Sequence, residues 1–176
     1  MSLLVLAYPD FSIHDFQWIQ SIRSAHDQRH YSLVKPHFTI VFPVSTIEKY
    51  KFCRHVEERT RQFGNIFFSL RRAICVKDSL SDFTDIFLIP DEGNSYIRQL
   101  HDTLYTDILS QELRLDIPFI PHIGVGGYPS LLRCNEVADQ LNGNPFCIHG
   151  QIHCLDIVEY DFKSIVTIHK IDLVAL

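Results

Sequence analysis

Two short stretches of the chain, Pro36-His37-Phe38-Thr39-Ile40 and Pro121-His122-Ile123-Gly124-Val125, repeat one pattern. In each stretch a histidine follows a proline and begins a run of residues that is typical of β-strands. Each stretch also follows one predicted helix and precedes another. We therefore expect an internally duplicated chain in which these two strands hold equivalent positions.

Each histidine shares a strand face with the second residue after it. Side chains alternate between the two faces of a strand, so His37 and Thr39 are expected to point the same way. His122 and Gly124 share a face by the same rule. The hydrophobic residues between them are then expected to point into a core.

Helices and strands alternate along the rest of the chain. Hydrophobic residues at helical spacing predict helices over residues 12–26, 46–63 and 131–141, and a further helix capped by Asn94 that extends through Ile108. Strands are predicted over residues 3–7, 36–43, 66–76, 85–89, 117–125, 146–160 and 164–174. The resulting order is β-α-β-α-β-β-α-β-α-β-β. Because no Pro/Ser-rich linker interrupts it, residues 1–176 are expected to form a single domain of two interlocked lobes.

Composition limits the classes of ligand. The 176 residues are 46% hydrophobic, enough for one good core, and the formal net charge of −5 argues against electrostatic capture of long duplex DNA. A small nucleotide or a short RNA remains allowed. The apolar run over residues 3–7 is too short for a signal peptide, and no apolar run is long enough to span a membrane. We expect a cytoplasmic monomer that does not bind membranes.

Cysteine usage predicts neither a disulfide framework nor a zinc knuckle. The chain has five cysteines, an odd number, and no C-x-x-C pair. A metal site is one interpretation of His149 and His153, which are expected to share a strand face, with Cys154 adjacent and His169 on the next strand. The spacing lacks a tight ligand pair with a carboxylate, so exposed histidines on a sheet explain it more simply. No metal and no cofactor are expected.

A pair of histidines suits one class of reaction. Imidazole has an unperturbed pKa of about 6.5, so near neutral pH one ring can accept a proton while the other donates one. In-line displacement at phosphorus needs both transfers, on opposite sides of the phosphorus atom. The two histidines are therefore candidate catalytic residues for phosphodiester chemistry without a metal, and each proton transfer is typically worth about 10²–10⁴ in rate.

The two motifs give the chain a resemblance to the two-histidine phosphoesterase superfamily, and most closely to its 2′-5′ RNA ligase-like family. The family pattern is histidine, hydrophobic residue, threonine or serine, hydrophobic residue, and it occurs twice. The resemblance implies a bilobal, pseudo-twofold α+β fold of antiparallel sheets with flanking helices and a central groove. It also implies hydrolysis of 2′,3′-cyclic phosphates, or cleavage or joining of 2′-5′ linkages, with His37 and His122 as acid and base and with Thr39 contacting the phosphate.

The second motif departs from this pattern at Gly124, where the family has a hydroxyl side chain. A phosphate contact at Gly124 then depends on the backbone, and Tyr128 is a candidate substitute donor if the strand keeps its register. A glycine bulge would reverse its facing. Tyr8, at the end of the first strand, is a second candidate groove residue. The departure leaves open an alternative function, a catalytically weakened module of the same fold that binds nucleotides or RNA ends.

Overall fold

The two histidine motifs lead into edge strands of two different sheets. In the computed structural model, which describes residues 1–79 and 81–174, one sheet has four strands in the order β3-β1-β8-β9 and the other has five in the order β2-β7-β4-β5-β6. The strands are β1 (Ser2–Ala7), β2 (Asp10–Phe11), β3 (Phe38–Val44), β4 (Ile66–Lys77), β5 (Thr84–Pro90), β6 (Ile123–Tyr128), β7 (Ile148–Ile152), β8 (Cys154–Tyr160) and β9 (Ile165–Asp172). The pairings are antiparallel, which confirms the predicted α+β class.

Helices pack on both sheets, at positions close to the predicted ones. They are α1 (Ile13–His26), α2 (Lys49–Thr60), α3 (Asn94–Leu104) and α4 (Leu131–Gly143), with one 3₁₀ helix at Asp107–Glu112. Helix α1 begins where predicted, because the Ser12 hydroxyl accepts a hydrogen bond from the backbone N–H of Asp15. The prediction for α3 was wrong at both ends. Its N-cap is Gly93, at φ +78°, and the helix ends before Ile108.

One apolar cluster joins the two sheets. It includes fully buried Val5 and Ala7 of β1, Leu70 of β4 and Leu88 of β5. A second, smaller cluster covers the other face of the first sheet and contains Leu4, Leu6, Val34 and Val158. The side chains of β1 therefore alternate between two apolar environments, as expected for a strand with both faces covered.

The motif strands begin one residue after each histidine, later than predicted. Residues 36–37 and 117–122 lie outside β3 and β6. Pro36, Pro118 and Pro121 have no backbone N–H, so these segments cannot supply the regular hydrogen bonds of a strand ladder. Each histidine thus lies at the point where an irregular segment enters a strand.

The predicted strand over residues 146–160 is two strands in different sheets. β7 pairs with β4 in the second sheet, whereas β8 pairs with β1 in the first. His153 lies at the crossing between them, outside both strands. The hydrophobic pattern continues across the crossing because β7 and β8 each supply residues to the shared core, Ile152 and Leu155 among them.

Candidate active site

The two imidazoles are held in the same way. His37 Nδ1 lies 2.8 Å from the carbonyl oxygen of Lys35, and His122 Nδ1 lies 2.6 Å from the carbonyl oxygen of Ile120. A carbonyl oxygen can only accept, so Nδ1 carries the proton and donates it in both rings. Each neutral imidazole therefore presents Nε2 as a proton acceptor, and the two motifs are equivalent in tautomer as well as in position.

Both histidines resist protonation in the free protein. Each ring is surrounded by protein yet partly accessible, and burial lowers the pKa of both His37 and His122 to about 4. The positive charge of a protonated His122 also lowers the pKa of His37, by less than burial does. The pKa of His37 thus depends in part on the charge of His122.

Tyr8 lies beside His37, and Thr39 is the second residue of β3. Phe38 and Ile40 are fully buried, while Thr39, on the opposite face of β3, is half-buried. The Tyr8 ring centroid is 6.0 Å from that of His37, so the structure brings this candidate groove residue to the first motif. Burial and the nearby Asp156 carboxylate raise the pKa of Tyr8 to about 12, which keeps its phenol protonated as a donor.

The second motif has an aromatic partner that the sequence interpretation missed. Phe87 stacks on His122 with ring centroids 3.5 Å apart and ring planes 14° from parallel. Phe87 is also the register partner of Gly124 in the β5–β6 pair. A side chain at Gly124 would meet no atom within 4 Å of its Cβ, so the space above this position is open. The alternation of buried residues in β5 could have indicated the facing of Phe87, but not its contact with His122.

Tyr128 lies at the far end of β6 and binds elsewhere. The register of β5 and β6 shifts between Ile86 and Phe87, so β6 contains a bulge before Tyr128. The Tyr128 hydroxyl is 2.7 Å from Nδ1 of His26, a residue of α1. The structure thus brings Tyr128 to His26 and gives it no contact with His122.

The glycines that follow the second motif differ in their surroundings. A Cβ at Gly126 would lie 2.7 Å from the Cβ of His26, and one at Gly127 would lie 2.5 Å from a carboxylate oxygen of Asp85. Side chains would not fit at these two positions without movement of their neighbours. The backbone therefore lies close to neighbouring atoms at Gly126 and Gly127 but not at Gly124.

A buried ion pair organises the segment that leads to His37. Arg23 of α1 is 1% exposed and donates to the Asp27 carboxylate and to the carbonyl oxygens of His30 and Val34. Its guanidinium thereby ties the end of α1 to the irregular chain just before the first motif. Nothing in the local sequence distinguishes Arg23 from an exposed helical arginine, so this positioning role was missed.

The histidines of the alternative metal-site interpretation are held apart. His149 of β7 contacts the Cys147 sulfur, His169 Nε2 of β9 lies 2.5 Å from the Glu57 carboxylate, and His153 lies outside both strands. The expected shared face of His149 and His153 was wrong, because the chain changes sheets between them. Over residues 1–79 and 81–174, no group of three or more His, Cys, Asp or Glu side chains is placed to hold a metal ion.

A family model described as the 2′-5′ RNA ligase superfamily matches residues 9–163, which contain both histidine motifs. The chain therefore belongs to the 2′-5′ RNA ligase superfamily. A relative from Geobacillus thermodenitrificans (strain NG80-2), whose name describes it as a phosphoesterase, is 25% identical over 125 residues. That match covers 69% of this chain and 66% of the relative, just under two thirds of the relative's length.

Solved structures with low sequence identity share the fold over nearly their whole length. TT0787 of Thermus thermophilus has a TM-score of 0.59 at 12% identity, covering 99% of both chains. LigT of E. coli, in complex with 3′-AMP, has a TM-score of 0.57 at 12% identity, covering 98% of this chain and 97% of LigT. Usb1 of Kluyveromyces marxianus has a TM-score of 0.55 at 7% identity, covering 94% of this chain and 96% of Usb1. These similarities confirm the predicted fold.

The helices are too short or too polar for a transmembrane position. In the part of the chain that the structure describes, none is both long enough and apolar enough to cross a bilayer.

Proposed function

We propose that this protein is a phosphodiesterase that works without a metal, with His37 and His122 as general acid and general base. The proposed substrate is a 2′,3′-cyclic phosphate or a short 2′-5′-linked nucleotide. The observation that carries the proposal is the equivalence of the two imidazoles, each of which donates from Nδ1 to the carbonyl oxygen two residues earlier and presents Nε2. Two equivalent proton carriers are what in-line displacement at phosphorus requires.

The proposed step balances protons between the two rings. Nε2 of one histidine takes a proton from the attacking water or hydroxyl while a new bond forms from its oxygen to phosphorus. The other histidine donates a proton to the oxygen that leaves as the opposite bond breaks. Since both rings are neutral near pH 7 in the free protein, the acid must gain its proton with the substrate. The negative charge of a bound phosphate favours this, because a nearby anion raises the pKa of an imidazole.

Family membership and the known complexes support a nucleotide substrate. The 2′-5′ RNA ligase superfamily consists of phosphoesterase and RNA ligase-like enzymes. LigT of E. coli has been crystallised with 3′-AMP and with NADP+, two small nucleotides. Thr39, two residues after His37, is the proposed side-chain contact to a phosphoryl oxygen, and the backbone at Gly124 is the proposed contact on the opposite motif.

Gly124 supports a second candidate function, a module that binds nucleotides or RNA ends without turning them over. The hydroxyl that the family has at this position is missing, and the space it would occupy is open. Loss of one hydrogen bond to a charged group typically costs about 1.5–3 kcal/mol, which slows a reaction without abolishing it. Retained activity is therefore the favoured proposal.

Alanine variants of the two histidines test the proposal. With a 2′,3′-cyclic nucleotide as substrate, His37→Ala and His122→Ala are each expected to lower kcat/KM by about 10²-fold or more, because each removes one proton transfer. The parent is expected to show a bell-shaped pH dependence and unchanged turnover in the presence of a chelator. His14→Ala, which alters an exposed histidine of α1, is the matched control and should keep parental activity.

Three outcomes would contradict it. Full activity in either alanine variant would remove the two-histidine mechanism, and chelator-sensitive turnover would indicate a metal-dependent reaction instead. Tight binding of the cyclic nucleotide by the parent with no product would favour the binding module.

A further inference from the structure

One face of the second sheet continues away from His122 across three strands. In the register of this sheet, Phe87 of β5 pairs with Gly124 of β6 and with Ile74 of β4, and Ile89 of β5 pairs with Arg72 of β4. Directly opposed residues of antiparallel strands have their side chains on the same face. We call this surface the β4–β6 wall, and it consists of Arg72, Ile74, Phe87, Ile89 and Gly124.

The β4–β6 wall is apolar except for a single cation. Ile74, Phe87 and Ile89 are half-buried, so each keeps some surface open to a ligand, while Arg72 is exposed. Gly124 adds open space rather than a side chain. A surface of this kind, with apolar area and one guanidinium, matches the alternating apolar and anionic character of a nucleotide chain.

Arg72 and its neighbour Arg71 have different roles because β4 contains a bulge between them. The register shifts between Leu70 and Arg72, so Arg71 is the extra residue and Arg72 remains paired in the sheet. Arg71 donates to the Asp91 carboxylate and to the Cys147 sulfur. Within residues 1–79 and 81–174, no hydrogen bond or ion pair engages the Arg72 guanidinium, which leaves all its donors for a ligand.

The distance from Arg72 to His122 suits a neighbouring phosphate. His122 directly precedes Ile123, whose partner is Leu88, so it lies next to the pair that Ile89 forms with Arg72. With strands about 4.8 Å apart, the backbones of Arg72 and of the start of β6, two strands away, are about 10 Å apart. A guanidinium on a flexible stem at that distance faces the next phosphate along a nucleotide chain rather than the one held between the histidines.

We infer that the β4–β6 wall is a second subsite, in which Arg72 binds the phosphodiester adjacent to the reacting phosphate and Phe87 and Ile74 contact the neighbouring nucleoside. The inference rests on the proposed function and narrows its substrate class. The preferred substrate is a chain of two or more nucleotides, not a mononucleotide. Because the protein is net negative, affinity for such a chain depends on local cations, and arginine matches phosphate geometry with two parallel hydrogen bonds.

The test compares two substrates that differ by one internal phosphate. One is a dinucleotide that ends in a 2′,3′-cyclic phosphate, and the other is the corresponding mononucleoside 2′,3′-cyclic phosphate. Arg72→Ala is expected to lower kcat/KM for the dinucleotide about tenfold, mainly through KM, and to leave the mononucleotide unchanged. Arg72→Lys should restore part of the loss, since it keeps the charge. Arg71→Ala, the matched control, should not change the ratio of the two substrates.

The outcomes separate the subsite from the proposed function. If Arg72→Ala changes kcat/KM equally for both substrates, or for neither, the subsite is disproved, but the proposed function is unaffected. If the parent turns over neither substrate, the proposed function fails, and equilibrium binding of the dinucleotide tests the subsite alone. Arg72→Ala removes one phosphate contact. A plot of the logarithm of the binding constant against the logarithm of the salt concentration should then be less steep by about 0.7 than for the parent. Identical binding and slope in parent and variant overturn the subsite.

Discussion

Residue 124 is where the two halves of the site differ in chemistry. Thr39 follows the first histidine by two residues and carries a hydroxyl, whereas the equivalent Gly124 carries none. The structure does not require glycine there, since an added Cβ meets nothing within 4 Å. The missing hydroxyl is therefore a property of the site rather than a demand of the fold.

Restoring the hydroxyl should increase activity. Gly124→Thr is expected to raise kcat/KM for a 2′,3′-cyclic nucleotide by about tenfold or more, because one hydrogen bond to a charged group is worth about 1.5–3 kcal/mol. Threonine also suits a strand, so the free energy of unfolding should not fall. Steady-state kinetics together with urea unfolding check both expectations.

Two other glycines serve as controls for this substitution. Gly143→Thr alters another open position, at the end of α4, and should leave kcat/KM unchanged. Gly126→Thr should destabilise the protein, because its Cβ would lie 2.7 Å from the Cβ of His26. A folded Gly124→Thr variant with unchanged or lower activity would show that no phosphate binds at this position.

At the scale of elements, the segment between α1 and β3 determines where His37 lies. This segment is irregular, and its conformation depends on the buried Arg23 guanidinium, which binds Asp27 and two carbonyl oxygens. His30 adds a backbone N–H bond to Asp27. Burial alone would raise the pKa of Asp27, but hydrogen bonds from His30 and Arg23 lower it below its usual value. Arg23 and Asp27 are therefore both ionised at neutral pH. We therefore expect the path of the chain into β3 to depend on this buried charge pair.

Arg23→Ala is expected to lower the free energy of unfolding by about 3–5 kcal/mol, because it leaves the Asp27 carboxylate buried without its partner. The double variant Arg23→Met/Asp27→Leu should recover most of that stability, since a buried ion pair can be replaced by apolar residues of similar volume. The activities of Arg23→Ala and of the double variant should both be below that of the parent, because both lack the hydrogen bonds to the His30 and Val34 carbonyls.

Urea unfolding and turnover of a cyclic nucleotide separate the two effects. Arg54→Ala, which breaks an exposed pair with Glu58 on α2, is the control and should change neither measurement appreciably. A stable double variant with parental activity would show that Arg23 does not position His37.

At the scale of the whole molecule, one core joins both sheets, so we propose that the two lobes unfold together. The shared cluster contains residues of β1, β3, β4, β5, β6, β7 and β8. Fluorescence of Trp18, on α1, and far-UV circular dichroism should then report one coincident transition. The effect of protonating His37 and His122 can then be measured as a change in the free energy of global unfolding.

The lowered pKa values make stability depend on pH. His37 and His122 have pKa values of about 4 when folded, below the value of about 6.5 for an unfolded chain. Between these values the unfolded state binds more protons, so stability should fall as pH falls from about 6.5 to 4 and level off below. The expected loss is about 2–4 kcal/mol for the pair, with partial exposure taken into account.

Urea unfolding at pH 7 and pH 4.5 checks this dependence. The His37→Asn/His122→Asn variant should lose less stability than the parent over the same interval, since it lacks both depressed groups. His14→Asn should behave like the parent. An equal loss in the parent and the double variant would show that the two rings are not protected from protonation.

The sequence alone determined the motif pair and the alternation of helices and strands, and it is the source of the proposed class of chemistry. These are local properties, because the motifs are short and the periodicity of hydrophobic residues is set by neighbours in the chain. Tertiary structure alone decided that β7 and β8 enter different sheets, that Phe87 stacks on His122 and that Arg23 is buried. Each of these depends on contacts between residues distant in the chain, and local sequence periodicity carries no information about such contacts.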